Sequence, residues 1–441
     1  MFRFRRFRAT ESGNVSVMTA LLSLPLILIA GGGVDLMMHE RQRVRLQDAL
    51  DSGLIAASAL LQPNAAEPTV RSYLDAAGFK DYRLTVSETK TVSSRAVTGS
   101  VALDIKTSFL GVARIPTMSV KAAGAAEEAF KDIEISFVLD LSGSMRGARI
   151  NAMRPAAKNF IAQLLTPKTK DYTSINLIPF AGQVNVGHAA YNAFAGASAR
   201  KHDKSSCFSV LEPTYTESIP DFPTQDQVPQ FSTWVVGTNT GFDPWNCPTE
   251  ETSISYVSND AAALQAKIDE YHMFDGTATH IAMKWGLHLL DPGFRSILLK
   301  AKLAGVSLAP AQFANRPAAY SDKTLKVIVL MTDGEVVGQF RPKSGEYVNE
   351  QPVTKSPDSN KQILSASTNL SNMSAACAAA KAHGVVVYTI GFEVNGSDPN
   401  FLSKLKACAS SPDKFYEAKT SDISRIFQDV ARSISPLRLT N

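Results

Sequence analysis

The chain opens on an apolar stretch. Residues 15–34 carry no charge, about the 20 residues a helix needs to cross a bilayer. The run continues through Gly31-Gly32-Gly33 to Asp35, whereas a cleaved signal peptide has a shorter apolar core and a small-residue cleavage site. We therefore expect a retained anchor. Pro25 lies inside it, which membrane helices tolerate, and the glycines permit close packing against another helix. From 39 to 61 the pattern turns amphipathic. Leu46, Leu50, Leu54, Ala57 and Leu61 recur at spacings of three and four, which draws one helical stripe, and Pro63 ends it. Residues 82–88, 97–109 and 117–122 are rich in Val and Thr with partial alternation and predict strands. Residues 71–79 predict a short helix, and the Ala-rich 122–129 reads as a joining segment.

Beyond residue 132 apolar runs alternate with helical stripes. Strands are predicted at 133–139, 174–180, 325–331, 385–392 and 414–417. Helices are predicted over 150–164, 256–271, 281–290, 369–383, 400–409 and 422–433. In the first of these, Pro155 must sit in the first turn or kink the helix. The alternation implies an α/β fold with a doubly wound, mostly parallel sheet covered on both faces. Two stretches interrupt it. Residues 187–253 are rich in Pro, Ser and aromatics (Phe208, Tyr215, Phe222, Phe231, Trp234, Phe242, Trp245) and read either as a recognition surface or as a small stapled core. Residues 339–360 are polar with several prolines and read as a mobile loop. The expected organisation is a basic tail and transmembrane anchor (1–38), an extension helix (39–62), a small α+β spacer (63–131), an α/β domain (132–435) and a short tail (436–441).

Composition adds little except at the N-terminus. The chain has 441 residues, 44% hydrophobic and 20% charged, with a net charge of +4, which suits a globular protein of two or three domains. Arg3, Arg5, Arg6 and Arg8 account for the excess; without them 41 basic residues face 41 acidic ones. A neutral body argues against a nucleic-acid surface, whereas a basic tail suits an anionic membrane face. These four arginines outweigh Arg41, Arg43 and Arg45 beyond the span by a narrow margin, which places the N-terminus in the cytoplasm. Cys207, Cys247, Cys377 and Cys408 show no zinc-type spacing. Two disulfides in an oxidising compartment are expected, pairing within regions as Cys207 with Cys247 and Cys377 with Cys408.

The chemistry concentrates at Asp140-Leu141-Ser142-Gly143-Ser144, directly after the first strand of the α/β domain. One carboxylate and two hydroxyls at the carboxyl end of a buried strand are hard oxygen ligands, fit for Mg²⁺, Mn²⁺ or Ca²⁺. Strand, Asp/Ser and helix is also an ordinary N-cap arrangement. Two further pieces favour the metal: Thr277, before a predicted helix, and Asp333, ending another buried strand. This pattern, Asp-x-Ser-x-Ser, then Thr, then Asp, resembles the von Willebrand factor type A (VWA) domain and its metal-ion-dependent adhesion site. The resemblance implies ligands at Asp140, Ser142, Ser144, Thr277 and Asp333, with an open metal position that a partner's carboxylate fills. Glu335 reads as an outer carboxylate. His272, His280 and His288 lack ligand-pair spacing, and neither serine has an identifiable histidine base, so a serine hydrolase is not expected.

The N-terminal third and the chain's end resemble TadG-like proteins of the bacterial Flp/Tad pilus-assembly system: Gly13-Asn14-Val15-Ser16-Val17, the span, Leu46-Gln47-Asp48-Ala49-Leu50-Asp51, and Pro436-Leu437-Arg438-Leu439-Thr440. The related TadE-like pseudopilins carry Glu five residues after the Gly, where prepilin peptidase cuts. Here that position is Met18, so no such cleavage is expected. The resemblances imply a non-enzymatic protein of Flp/Tad pilus assembly. It would be anchored by a single pass in the bacterial inner membrane, with its C-terminal domain in the periplasm. A divalent cation, Mg²⁺ or Mn²⁺ before Ca²⁺, would mediate binding to a partner protein, with pilus-assembly components as the expected partners. A surface adhesin is the alternative; a metal-dependent hydrolase using Asp140 and Asp333 is a more distant one.

Overall fold

The structure is a computed structural model that describes residues 14–60, 62–91, 94–129, 132–210, 213–232, 241–320, 323–334, 336–343, 351–352, 360–394 and 397–434. The basic tail, Gly13, Trp234, Glu335 and residues 436–441 lie outside the described residues. The chain divides into two compact units, Met1–Ala129 and Phe130–Asn441.

The first unit is built on one long helix, α1 (Asn14–Ser58). Its N-terminal part is long and apolar enough to cross a membrane and leaves Leu21, Leu22, Leu26, Ile27 and Ile29 exposed. Its C-terminal part buries the predicted stripe. Leu46, Leu50, Leu54 and Ala57 pack on Val70 and Leu74 of α2 (Ala66–Ala76) and on Val97, Val101 and Val120 of an antiparallel sheet. That sheet runs β1 (Arg83–Lys90), β2 (Ser94–Lys106), β3 (Thr117–Ala129). The extension helix and the spacer thus share one core. The Ala-rich segment is strand rather than linker, paired with β2 along its whole length. Small residues are needed there because α1 lies against it: a Cβ on Gly124 would fall 2.8 Å from Asp51 Oδ1 and 3.2 Å from Leu54 Cδ1.

The second unit begins with β4 (Asp132–Asp140), α3 (Ala148–Leu164), β5 (Thr173–Phe180) and α4 (His188–Ala195). Next come β6 (Phe231–Ser232), β7 (Ser255–Ser258), α5 (Ala261–Asp269), α6 (Thr279–His288), α7 (Phe294–Leu303) and β8 (Thr324–Thr332). It ends with β9 (Gln339–Pro342), β10 (Gln351–Pro352), β11 (Asn360–Leu364), α8 (Ala366–Ala382), β12 (Val386–Phe392), α9 (Pro399–Cys408), β13 (Phe415–Ala418) and α10 (Ile423–Ile434). The main sheet has the order β13-β12-β8-β4-β5-β7. All neighbours are parallel except β7, which runs antiparallel to β5. Successive side chains of β4 serve opposite faces. Phe137 meets Phe160 of α3 and Phe427 of α10, with ring centroids 4.5 and 5.4 Å away, whereas Val138 joins the core formed with α6 and α8. This is the doubly wound α/β sheet expected.

Local departures have local causes. The helix expected over 256–271 is split: Tyr256 and Val257 close the sheet edge as β7. The helix starts only after Asp260, whose side chain accepts from the Ala263 N–H at 3.0 Å as an N-cap. Pro155 lies well inside α3, so the first-turn option fails. The stretch expected to be a loop at 339–360 is held at both ends, because β9 and β11 pair antiparallel, and β10 pairs with β6, joining the two insertions. Both expected disulfides form, with Cα–Cα separations of 6.2 Å for Cys207–Cys247 and 5.1 Å for Cys377–Cys408. The second ties α8 to α9.

Most insertion aromatics are core. Phe208 stacks on Tyr191 and meets Phe222, which stacks on Trp285. Phe231 packs with Val228 around the Cys207–Cys247 bridge. Phe242 is half-buried and belongs to the site described next.

Candidate metal site

β4 ends in Asp140, which is wholly buried. Its Oδ1 accepts from the Ser142 N–H at 2.8 Å, and its Oδ2 accepts from the Thr332 hydroxyl at 2.6 Å. β8, the neighbouring strand, delivers Asp333. The Asp333 Oδ1 accepts from the hydroxyls of Ser144 at 2.7 Å and Ser142 at 3.3 Å, and these two hydroxyls lie 2.9 Å apart. Arg149, in the first turn of α3, donates to Asp333 Oδ2 at 2.5 Å and to the Ser144 carbonyl at 3.2 Å. The Thr277 hydroxyl and the Ser144 hydroxyl flank Gly334, 3.5 and 3.4 Å from the position its Cβ would take. Thr277, Ser142 and Ser144 line one cavity of about 620 Å³. The structure therefore brings all five sequence-selected oxygen ligands to one rim of the sheet.

The Thr277 loop is held by backbone contacts from several directions. Phe274 N–H donates to Leu141 O at 2.8 Å, Ala278 N–H to Ala181 O at 2.7 Å, and Gly182 N–H donates back to Asp275 O at 2.9 Å. The insertion also grips this loop, with Asp243 N–H on Met273 O at 2.7 Å. Gly276 has φ +87°, and a Cβ there would sit 2.8 Å from Gly182 Cα. Gly276→Ala is therefore expected to displace Thr277, at a local strain of about 1–3 kcal/mol. Thermal melts with and without Mn²⁺ check this: the variant should lose most of the metal-induced stabilisation, and undiminished stabilisation would remove Thr277 from the ligand set.

Electrostatics favour a cation here. Burial, then the Asp333 charge, pushes the Asp140 carboxyl up to about 7. Burial also raises Asp333, opposed by the Ser144 hydroxyl and by Arg149. Two carboxylates share a dry site in which Arg149 pairs with Asp333 while Asp140 receives neutral donors. Among the described residues, no group of three or more His, Cys, Asp or Glu is placed to hold a metal; the candidate donors at this rim are two carboxylates and three hydroxyls. That set fits a hard divalent ion, which would supply the missing positive charge. Sequence reasoning missed Arg149 and Thr332. An arginine in the first turn of a helix opposes the helix dipole, and this is the signal that points to an acidic neighbour for Arg149.

The histidines play other parts. His272 Nε2 lies 2.9 Å from Asp243 Oδ2, which raises its pKa and ties the insertion to the Thr277 loop. His280 and His288 are buried in α6 with no hydrogen-bond partners, and burial pushes both down to about 3. The unfolded chain takes up protons at these residues below its ordinary pKa of about 6.5, whereas the folded chain does not. Their contribution to stability is thus fully present above pH 6.5 and is lost as pH falls towards 3. Melting temperatures between pH 7 and 5 should fall, with a shallower slope in His288→Leu; an unchanged slope in that variant would contradict the assignment.

The two insertions add Phe242, Asn246, Phe340 and Asn360 to the cavity lining. Phe242 and Phe340 form apolar walls, with Val337 and Arg146 beside them. Gly143 lets Phe242 lie directly on the loop 140–144: a Cβ there would come within 3.0 Å of the ring.

Residues 13–62 match the family model of Flp pilus-assembly TadE/G-like proteins, Tad. No curated protein matches the chain. Among solved structures, the chain is similar to the vWF domain of the type V pili tip protein Mfa5 from Porphyromonas gingivalis, at 14% identity and a TM-score of 0.37, over 71% of this chain and 99% of that one. It is also similar to the pilus adhesin RrgA from Streptococcus pneumoniae, at 14% identity and a TM-score of 0.36, over 80% of this chain and 48% of that one. A third is the pilus adhesin SpaC from Lactobacillus rhamnosus GG, at 14% identity and a TM-score of 0.35, over 81% of this chain and 34% of that one. The chain thus spans nearly all of the Mfa5 domain but less than half of either adhesin. Over residues 13–62 the chain is thus similar to Flp pilus-assembly TadE/G-like proteins, and its second unit is a doubly wound, mostly parallel α/β sheet with the Asp-x-Ser-x-Ser, Thr and Asp motifs at one rim.

Proposed function

We propose that the protein is a membrane-anchored, extracytoplasmic binding protein of Flp pilus assembly, which holds a partner protein through a divalent cation. The observation that supports this most strongly is that the buried Asp140 and Asp333 are hydrogen-bonded to Ser142 and Ser144, which with Thr277 line an open, apolar-walled cavity. Asp140 and Asp333 supply the anionic ligands, and the three hydroxyls supply neutral ones. When bound, Mg²⁺ or Mn²⁺ would offer a Lewis-acidic position to an incoming carboxylate. Arg149 offsets one of the two negative charges, so the loaded site keeps positive charge for a partner's Asp or Glu. Phe242 and Phe340 exclude water around that contact, which strengthens it. Binding rather than catalysis is our reading because Ser142 and Ser144 hydrogen-bond to each other and to an Asp333 that Arg149 also pairs, an arrangement of neutral oxygens around a carboxylate that suits an ion-holding site, and no histidine is among these partners.

The two disulfides support an oxidising compartment for the second unit. A phosphatase reporter fused after Leu61 is expected to be active; an inactive fusion would overturn the topology. Cross-linking in cells tests the function. Wild type should capture protein partners in Mg²⁺ and lose them in chelator, and identical capture in both conditions would sink the metal-dependent reading.

A further inference from the structure

We propose that the turn between β2 and β3, residues 107–116, is a membrane contact, its apolar tip seated in the bilayer interface beside the exit end of α1. This rests on reading α1 as a membrane span.

The turn is fastened to α1 at a defined height. Asp35 is the first charged residue after the run 15–34. Its Oδ1 accepts from the Ser108 N–H at 3.0 Å, and its Oδ2 accepts from the Phe109 and Leu110 N–H groups, both at 2.8 Å. One turn back, inside the uncharged run, Gly31 faces the Phe109 ring so closely that a Cβ would overlap it. A Cβ on Gly32 would sit 3.2 Å from Leu110 Cδ2. At 1.5 Å per residue Gly31 lies about 4–5 Å to the span side of Val34. If residues 15–34 cross the hydrocarbon, Phe109 is carried below its edge.

The turn is built for that position. Phe109, Val112 and Ile115 are 38%, 70% and 47% exposed, three large apolar side chains at one loop tip. Arg114 is the only charge among residues 107–116, and a long basic side chain suits the headgroup level. On α1 the exposed apolar surface continues past Asp35 through Leu36, Met37 and Met38, so helix and turn together form an apolar collar. Such a patch marks an interaction site, and its continuity with the span identifies the bilayer as the partner. The sheet then stands along the outer part of α1, with its far end, at Arg95, bonded to the Ala59 and Gln62 carbonyls.

Site-directed spin labelling tests this on the full chain with its disulfides intact, in phosphatidylethanolamine–phosphatidylglycerol vesicles. Nitroxides are placed at Val112→Cys, at Leu26→Cys inside the span, and at Thr89→Cys, an exposed position near the opposite end of the sheet. The ratio of oxygen to nickel-chelate accessibility at Val112 should lie several-fold above that at Thr89 and below that at Leu26. Equal values at Val112 and Thr89, with Leu26 in hydrocarbon, would overturn the turn's membrane contact while leaving the span intact. An aqueous value at Leu26 would overturn the span and this inference with it.

Discussion

Asp140→Asn is expected to abolish metal-induced stabilisation and to leave the metal-free protein at least as stable as wild type. The amide keeps the shape of the carboxylate, can still accept from the Ser142 N–H, and can pair with the Thr332 hydroxyl, which reverses its direction. It removes a charge that burial, and then the Asp333 carboxylate, disfavours, the two causes that push Asp140 up to about 7. It also removes the anionic ligand that holds the ion. A ligand present at 100-fold its Kd stabilises the folded state by about 2.7 kcal/mol, so wild type should melt several degrees higher in Mn²⁺ than in chelator. The variant should show no difference. Metal-induced stabilisation that survives in Asp140→Asn would place the ion elsewhere.

The largest loss of stability should come from the other end of the same strand. Glu134 on β4 pairs in register with Lys326 on β8, and both are nearly sealed from solvent, at 2% and 3% exposure. Lys326 Nζ lies 2.7 Å from Glu134 Oε2 and also donates to the Leu290 carbonyl at 2.7 Å. Glu134 Oε1 accepts from the Ala318 N–H at 2.8 Å. Breaking a buried pair from one side strands the remaining charge, at a cost of about 3–5 kcal/mol. Glu134→Gln should therefore lower stability by about that amount in chemical denaturation. The double variant Glu134→Leu/Lys326→Met should recover part of it, because neither charge of the pair is then left alone and Arg316, 3.9 Å from Glu134 Oε1, keeps Asp132. A single variant within about 0.5 kcal/mol of wild type would show that solvent reaches the pair.

The sheet was legible because its parallel strands are buried on both faces and read as unbroken apolar runs, such as residues 133–139 and 325–331. The clustering of the five candidate residues was legible because each piece closes a strand or opens a helix, where a linear motif maps onto one rim. What escaped lies in pairings between distant segments. The second half of β3, residues 122–129, was hidden because alanine is a poor strand former, and only its fit against α1 favours a strand there. Gly31 and Gly32 looked suited to helix–helix packing but make room for Phe109 and Leu110, a contact across nearly 80 residues. The pairing of β6 with β10 joins two insertions that carry no shared pattern. Phe242 could not be told from the insertion's core aromatics, since all are apolar rings in an irregular stretch. Arg149 is one basic residue among 45 Lys and Arg, and its place in a helix's first turn points to an acidic neighbour without saying that it is Asp333.

The most direct test of the central claim is isothermal titration of the metal-free, full-length protein with Mn²⁺. The account predicts a single site per chain, saturable, displaced by Mg²⁺ and absent from Asp140→Asn. Wild type that takes up no Mn²⁺, or binds it equally well with Asp140 replaced, would contradict it.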